Sequence, residues 1–357
     1  MAQLINDIEW GEPMLPIVQD PEWEAEVKAD MGMVPDLMTR VSRSPWLRKA
    51  CLKWPRYSVT EFPKHLGDIG ALVTAQENAC RFCYGMARSQ MRLFGYSEKL
   101  ISNIEREMQL AEMDEKDRIF IQFCRNLARS NPRPPKGDRD KLISLGFTPL
   151  AVSEMAFHIA NHCFINRVAT FISSPPMYKL EKLSTSFLGR IMRPLIARKI
   201  RSQAWTPVEL STEDRRSFPG LVQALEGLPA AAVIQEGLEG AFSSEVLSRE
   251  LKVLMFAVVA RSLECSFCQD ETRQMAKEIG FSETEFENAL SSLNSPRLSG
   301  PEGKILSWTR ETVHFQTGPM QKKTRALSRE VDEEMLLESI GVAALANTAV
   351  RLAVLVV

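Results

Sequence analysis

The stretch Glu77-Asn78-Ala79-Cys80-Arg81-Phe82-Cys83-Tyr84-Gly85-Met86-Ala87-Arg88 decides how this chain is read. Its two thiols stand three residues apart. On a helix that spacing puts both sulfurs on one face, close enough to close into a disulfide and reopen. The motif returns 185 positions on, from Cys80 to Cys265, in Ser262-Leu263-Glu264-Cys265-Ser266-Phe267-Cys268-Gln269-Asp270.

The likeness continues downstream of each pair. Gly95-Tyr96-Ser97-Glu98 matches Gly280-Phe281-Ser282-Glu283, and Ile121-Gln122-Phe123-Cys124-Arg125 matches Leu306-Ser307-Trp308-Thr309-Arg310, both at an offset of 185. Val152-Ser153-Glu154-Met155 against Leu336-Leu337-Glu338-Ser339, and Arg167-Val168-Ala169 against Arg351-Leu352-Ala353, follow at 184. One deleted residue explains the shift. A repeat held this long predicts two diverged copies of one domain.

The segments between these landmarks read as helices. Leu66, Ile69, Leu72, Val73 and Ala75 keep a 3.6-residue period over 64–79. Ile119, Phe120, Phe123, Cys124 and Leu127 do so over 115–130. Thr148-Pro149 opens a long helix that runs to about Ile172. Gly95 stops one helix, and Ser97 with Glu98 starts the next. Asn131-Pro132-Arg133-Pro134-Pro135-Lys136-Gly137 is a break. Alternating apolar and polar residues persist nowhere, so the expected class is all-α. The expected layout is an N-terminal arm over 1–25, a first domain over 26–172, a basic linker over 173–218 and a second domain over 219–357.

Phe187-Leu188-Gly189-Arg190-Ile191-Met192-Arg193-Pro194-Leu195-Ile196-Ala197-Arg198-Lys199-Ile200-Arg201 in the linker is basic and amphipathic. One reading is a helix on a membrane surface. The reading preferred here is a connecting helix that packs its Ile/Leu side on a neighbouring domain, with Pro194 interrupting it.

The 357 residues are enough for two cores, and 45% apolar with 25% charged residues is ordinary globular composition. A net charge of −1 gives no global pull toward nucleic acid or anionic lipid. Met1 to Asp7 has neither a basic n-region nor an apolar core, and no uninterrupted apolar run approaches the roughly 20 residues of a membrane span. Cytoplasmic location, no membrane span and no nucleic-acid partner are expected. The seven cysteines are an odd number, which argues against a secreted disulfide framework. Cys51, Cys124 and Cys163 sit in apolar patterns and are expected as small core residues.

The thiolate is the reactive form of cysteine, and a helix N-terminus stabilises it with unpaired N–H groups and a positive dipole end. Asn78 as cap would bring Cys80 there. For Cys265 the cap would be Ser262, or a capping box of Ser266 with Gln269. The nucleophile is then Cys80 and Cys265, or instead Cys83 and Cys268; spacing leaves both open. Two other readings compete. The four cysteines could be small buried residues only, or a zinc site, although 181 residues separate the pairs and zinc ribbons use far shorter loops. No metal and no cofactor are expected.

At this point the chain resembles the alkylhydroperoxidase D/carboxymuconolactone decarboxylase superfamily, in two fused copies. Leu66-Gly67-Asp68-Ile69-Gly70-Ala71-Leu72 leading to Cys80-x-x-Cys83, then Phe94-Gly95-Tyr96-Ser97, and the distal Ala160-Asn161-His162-Cys163-Phe164-Ile165-Asn166-Arg167-Val168-Ala169 carry the likeness. In the second copy these are Leu251-Lys252-Val253-Leu254, Cys265-x-x-Cys268, Ile279-Gly280-Phe281-Ser282 and Asn347 to Ala353. The resemblance implies tandem all-α domains, usually in a homo-oligomer. It also implies a peroxidase that reduces hydroperoxides with the cysteine pair and takes electrons from a dithiol partner. Such members use a Glu twelve residues before the first Cys, a His four after the second and a His just before the second. Here those places hold Asp68 and Val253, Ala87 and Thr272, and Phe82 and Phe267. Asp68 is left as a base of shorter reach.

His158 and His162 stand four apart, hence on one helical face. They read first as satisfied helix histidines. The alternatives are that one approaches Cys80 and Cys83 from the facing helix, or that both bind a metal with a third ligand. The expected function is a thiol-dependent oxidoreductase, an antioxidant peroxidase or disulfide reductase, cycling Cys80/Cys83 and Cys265/Cys268 between dithiol and disulfide. Its substrate would be a hydroperoxide or disulfide. The second expectation is a degenerate, non-catalytic binding or scaffold protein, and a weaker third is a lactone decarboxylase-like enzyme.

Overall fold

The computed structural model describes residues 4–106, 113–129, 136–201, 204–207, 217–228 and 230–356. Among these residues the regular elements are all helical, and strand-like pairing is limited to an isolated parallel bridge between Tyr57 and Trp205. The expected break over 131–135 lies outside the described residues, while Lys136 and Gly137 already belong to a helix.

A 3-10 turn at Ile5–Asp7 precedes α1 (Pro21–Met31), α2 (Asp36–Arg40) and α3 (Pro45–Lys53). Next come α4 (Lys64–Glu77), α5 (Arg81–Leu93), α6 (Glu98–Arg106), α7 (Glu115–Arg129), α8 (Lys136–Ser144) and α9 (Pro149–Ile172). The linker holds α10 (Tyr178–Thr185) and α11 (Phe187–Arg201). Then follow α12 (Pro219–Ala224), α13 (Ala230–Ser243), α14 (Arg249–Ser262), α15 (Ser266–Glu278), α16 (Glu283–Ser292), α17 (Gly300–Glu311), α18 (Thr317–Leu327) and α19 (Glu333–Val356). The starts of α13 to α17 lie 185 residues after those of α3 to α7 in order, and α19 starts 184 after α9. The one-residue slip seen in the sequence therefore reappears in the helix boundaries.

Capping explains where the helices begin. The Thr148 hydroxyl accepts the Ala151 N–H at 3.0 Å and Pro149 fills the first helical position. Ser282 with Glu285, and Ser299 with Glu302, form capping boxes at α16 and α17. Packing explains the arrangement. α4 buries Leu66, Ile69, Leu72 and Val73 among α5, α7 and α9, and α14 sits likewise among α15, α17 and α19. The two 24-residue helices α9 and α19 lie against each other, and so do α3 and α13.

The N-terminal arm is part of this core. Ile5, Ile8 and Leu15 are buried, the Trp10 indole N–H donates to Ser174 O at 2.9 Å, and Met14 N–H donates to Ile172 O at 3.0 Å. Its expected end at residue 25 falls inside α1, because Asp20 caps that helix by accepting the Trp23 N–H.

Two expectations about the linker are corrected. Pro194 does not interrupt α11, which is continuous from Phe187 to Arg201. A proline gives up only its own N–H bond to the preceding turn while the flanking ladder holds. Nor is the Ile/Leu side packed inward. Phe187, Leu188, Ile191 and Leu195 are 77, 60, 60 and 66% exposed, because α11 rests on α5 and α10 through the opposite face, which carries Gly189, Ile196 and Ile200.

Among the described residues one helical run, Glu333–Val354, is long and apolar enough to cross a membrane by length and composition, although Glu338 and Arg351 interrupt it. Its apolar window is enclosed by protein, while Glu333 and Glu334 at its start are exposed.

Close approach of α3 to α13 depends on a missing side chain. A Cβ on Gly237 would sit 2.6 Å from the buried Trp54 indole, which has no room to retreat because it packs on Phe164 at 4.9 Å. Gly237→Ala should lower stability by about 1–3 kcal/mol through overpacking. Gly300→Ala, which faces open space, should change it little. Urea denaturation of the two variants checks both.

Candidate dithiol site

Each cysteine pair is held by the same turn. α4 ends at Glu77, Asn78 is its C-cap and Ala79 is left-handed with φ +46°. Cys80 then returns to extended geometry and donates its N–H to Ala75 O at 3.0 Å. In the second half Leu263 caps α14, Glu264 has φ +54°, and Cys265 N–H donates to Ala260 O at 3.0 Å. A left-handed residue with a side chain costs roughly 1–2 kcal/mol, and residues so held concentrate at functional sites.

The turn makes the first cysteine of each pair the N-cap of the following helix. Cys80 Sγ accepts the Cys83 N–H at 3.3 Å, and Cys265 Sγ accepts the Cys268 N–H at 3.4 Å. This corrects the expected caps. Asn78 faces back into α4, its amide donating to Thr74 O at 3.0 Å and reaching Cys163 Sγ at 3.6 Å. The Ser262 hydroxyl likewise donates to Val258 O at 2.8 Å, and Ser266 opens α15 behind the cap. A cap needs extended backbone and an acceptor aimed at the third N–H. Only positions 80 and 265 of the two turns combine these.

The sulfurs of Cys265 and Cys268 lie 2.8 Å apart, in hydrogen-bond contact. All four motif cysteines are buried, with exposures of 0% for Cys80, 5% for Cys83, 3% for Cys265 and 4% for Cys268. Burial, then the hydrogen bond with Cys80, pushes the Cys83 thiol well up, and the buried Cys51 adds to this. The hydrogen bond with Cys265, then burial, pushes Cys268 up. Cys51, Cys124 and Cys163 are core residues, as their patterns predict.

Both sites carry a cover. α10 lies over α5, where Arg81 Nη1 and Nη2 donate to Glu181 Oε1 and Oε2 at 2.6 and 3.0 Å. The Arg81 guanidinium also stacks on Tyr178. α12 lies over α15, where the Glu271 carboxylate accepts the Gly220 N–H at 2.6 Å and the Leu221 N–H at 2.9 Å. Below the first turn, the enclosed Glu77 carboxylate pairs with Arg125 and Arg129.

Asp68 is met by a phenol: Tyr96 OH donates to its Oδ2 at 2.9 Å. His158 packs on the N-terminal half of α4, with Nε2 2.9 Å from Gly67 O and its ring 5.1 Å from that of Phe62. The His162 ring lies 4.5 Å from it. Among the described residues no group of three or more His, Cys, Asp or Glu could hold a metal, so the pair gains no third ligand there. Burial lowers the His158 pKa to about 4, and burial with the neighbouring His158 lowers that of His162.

Sequence reasoning missed Glu271. It stands three residues after Cys268 on one helical face, acts electrostatically on that thiol, and is itself pushed up by burial. The spacing was visible; the enclosure by α12 was not. The first pair has Met86 at that place.

Two outcomes follow. Glu181→Gln leaves Arg81 with half its partner, so Cys80 and Cys83 should alkylate several-fold faster in the folded protein, as peptide mass spectrometry would read, while Cys265 and Cys268 keep their rate. The lowered histidine pKa values mean that the unfolded chain binds more protons between about pH 6.5 and about pH 4. Stability should be complete above pH 6.5 and fall as pH drops through that window. The fall in urea midpoint from pH 7.5 to pH 5 should be smaller in His162→Gln than in the unaltered protein.

A comparison with protein-family models, with curated proteins and with solved structures finds no match to this chain.

Proposed function

We propose that the chain is a thiol-dependent oxidoreductase built from two fused alkylhydroperoxidase D-like domains, each with a Cys-x-x-Cys redox pair. The observation that carries this reading is the shared turn. Two sequences that differ at most positions keep a left-handed residue, an N-cap cysteine and a second thiol on the first helical turn. A buried pair kept only for packing does not need the strained residue.

In this reading Cys80 and Cys265 are the nucleophiles. Their sulfurs accept a backbone N–H at a helix N-terminus, which favours the thiolate, while Cys83 and Cys268 are held protonated. The thiolate attacks a hydroperoxide oxygen, an S–O bond forms, the O–O bond breaks and an alcohol leaves after protonation. The partner thiol then attacks the sulfenic sulfur, losing its proton; an S–S bond forms and water leaves. A dithiol donor restores the pair by exchange. In the second site Glu271, one turn along α15 and acting electrostatically on Cys268, is the candidate to receive its proton. Closing that pair needs the sulfurs to approach by under an ångström to a bond of about 2.05 Å. Self-association of the chain belongs to the same reading.

Burial supports a second reading, a non-catalytic scaffold, because oxidant must reach sulfurs that are at most 5% exposed. The two are separated by trapping thiols before and after a low dose of hydroperoxide. The first predicts a dithiothreitol-reversible Cys265–Cys268 disulfide within seconds. Glu271→Gln should slow it at least roughly tenfold and shift its pH profile. No disulfide at either pair would leave the scaffold reading.

A further inference from the structure

α11 presents an unusual surface. Phe187, Ile191 and Leu195 recur every fourth residue and form an exposed stripe, widened by Leu188 and Met192. Isolated exposed apolar residues need no explanation, but five on one 15-residue helix form a patch. The helix contains five basic residues and no acidic one. Arg190 and Arg198 are exposed beside the stripe, and Arg193 turns inward toward Glu98.

These two features together select an occupant. A second copy of this chain, docked about a two-fold axis, would set the same cations against one another. A hydrophobic partner alone would leave the flanking cations without counter-charge. A bilayer with anionic headgroups meets both: acyl chains accept the stripe and phosphates accept the guanidinium groups. At about 1.5 Å per residue the helix is too short to span, so it lies in the interface plane. We infer that α11 is a peripheral docking helix for anionic membrane surfaces. This inference is independent of the thiol chemistry.

Flotation of the 357-residue chain with vesicles tests it, using phosphatidylcholine alone and phosphatidylcholine with roughly one third phosphatidylglycerol. The protein should float with the anionic vesicles only, and less so at high salt. Ile191→Asp with Leu195→Asp, and separately Arg190→Glu with Arg198→Glu, should each reduce binding about tenfold or more. All four positions are exposed, and unchanged helicity by circular dichroism confirms that each variant is folded. Equal flotation with neutral vesicles, no flotation, or flotation that survives both double variants overturns the inference. A concentration-dependent rise in mass by light scattering, abolished by Ile191→Asp and without vesicle binding, overturns it in favour of a second copy.

Discussion

Neither α9 nor α19 has a polar face to turn to water, so each must be surrounded by the rest of the chain. They meet that requirement largely with each other. Each also carries one enclosed arginine. Arg167 Nη2 and Arg351 Nη2 both donate to Val313 O at 3.2 Å, and Arg167 Nε reaches Thr312 O at the same distance. Two cations within reach of one carbonyl repel each other, and burial lowers the pKa of both. The backbone at 312–313 is therefore held where it satisfies them. A buried charge deprived of its acceptor costs several kcal/mol, so this segment has little freedom to shift.

That constraint reaches the cysteine turn. A few residues beyond the clamp, the Thr317 hydroxyl donates to Ala79 O at 3.0 Å, on the left-handed residue before Cys80. The second half thus braces the first site. The turn itself converts a short loop into a helix cap in which sulfur replaces the usual oxygen. Sulfur accepts weakly, but it gains a backbone donor and the positive end of the helix dipole. Burial works against the same thiols, and the covers formed by α10 and α12 sustain it.

The two halves differ around this shared turn. Glu77 with Arg125 and Arg129 anchors the first turn, whereas the second has Ser262 turned back on its own helix. Glu271 stands beside Cys268, whereas Met86 occupies the matching place. Asp68 bonds Tyr96, whereas the matching positions of the second half hold Val253 and Phe281. The two pairs sit in different electrostatic surroundings, so identical reactivity is not to be expected of them.

Much of the frame was legible. The α4, α7 and α9 boundaries and the end of α5 followed from period, glycine stops and Thr148-Pro149, because these act within a few residues. The caps at Cys80 and Cys265 were misassigned to Asn78 and to Ser262 or Ser266, since oxygen is the expected capping atom and a left-handed Ala79 or Glu264 leaves no mark in sequence. By itself the sequence determined the all-α class, the placement of both thiol pairs and the recurrence at 185, all carried by local spacing. Only the tertiary structure decided that the thiols are covered, that Asp68 meets Tyr96, that α12 encloses Glu271 and that the apolar stripe of α11 points outward. Each of these depends on which distant element supplies the opposing surface, and no short-range pattern encodes that.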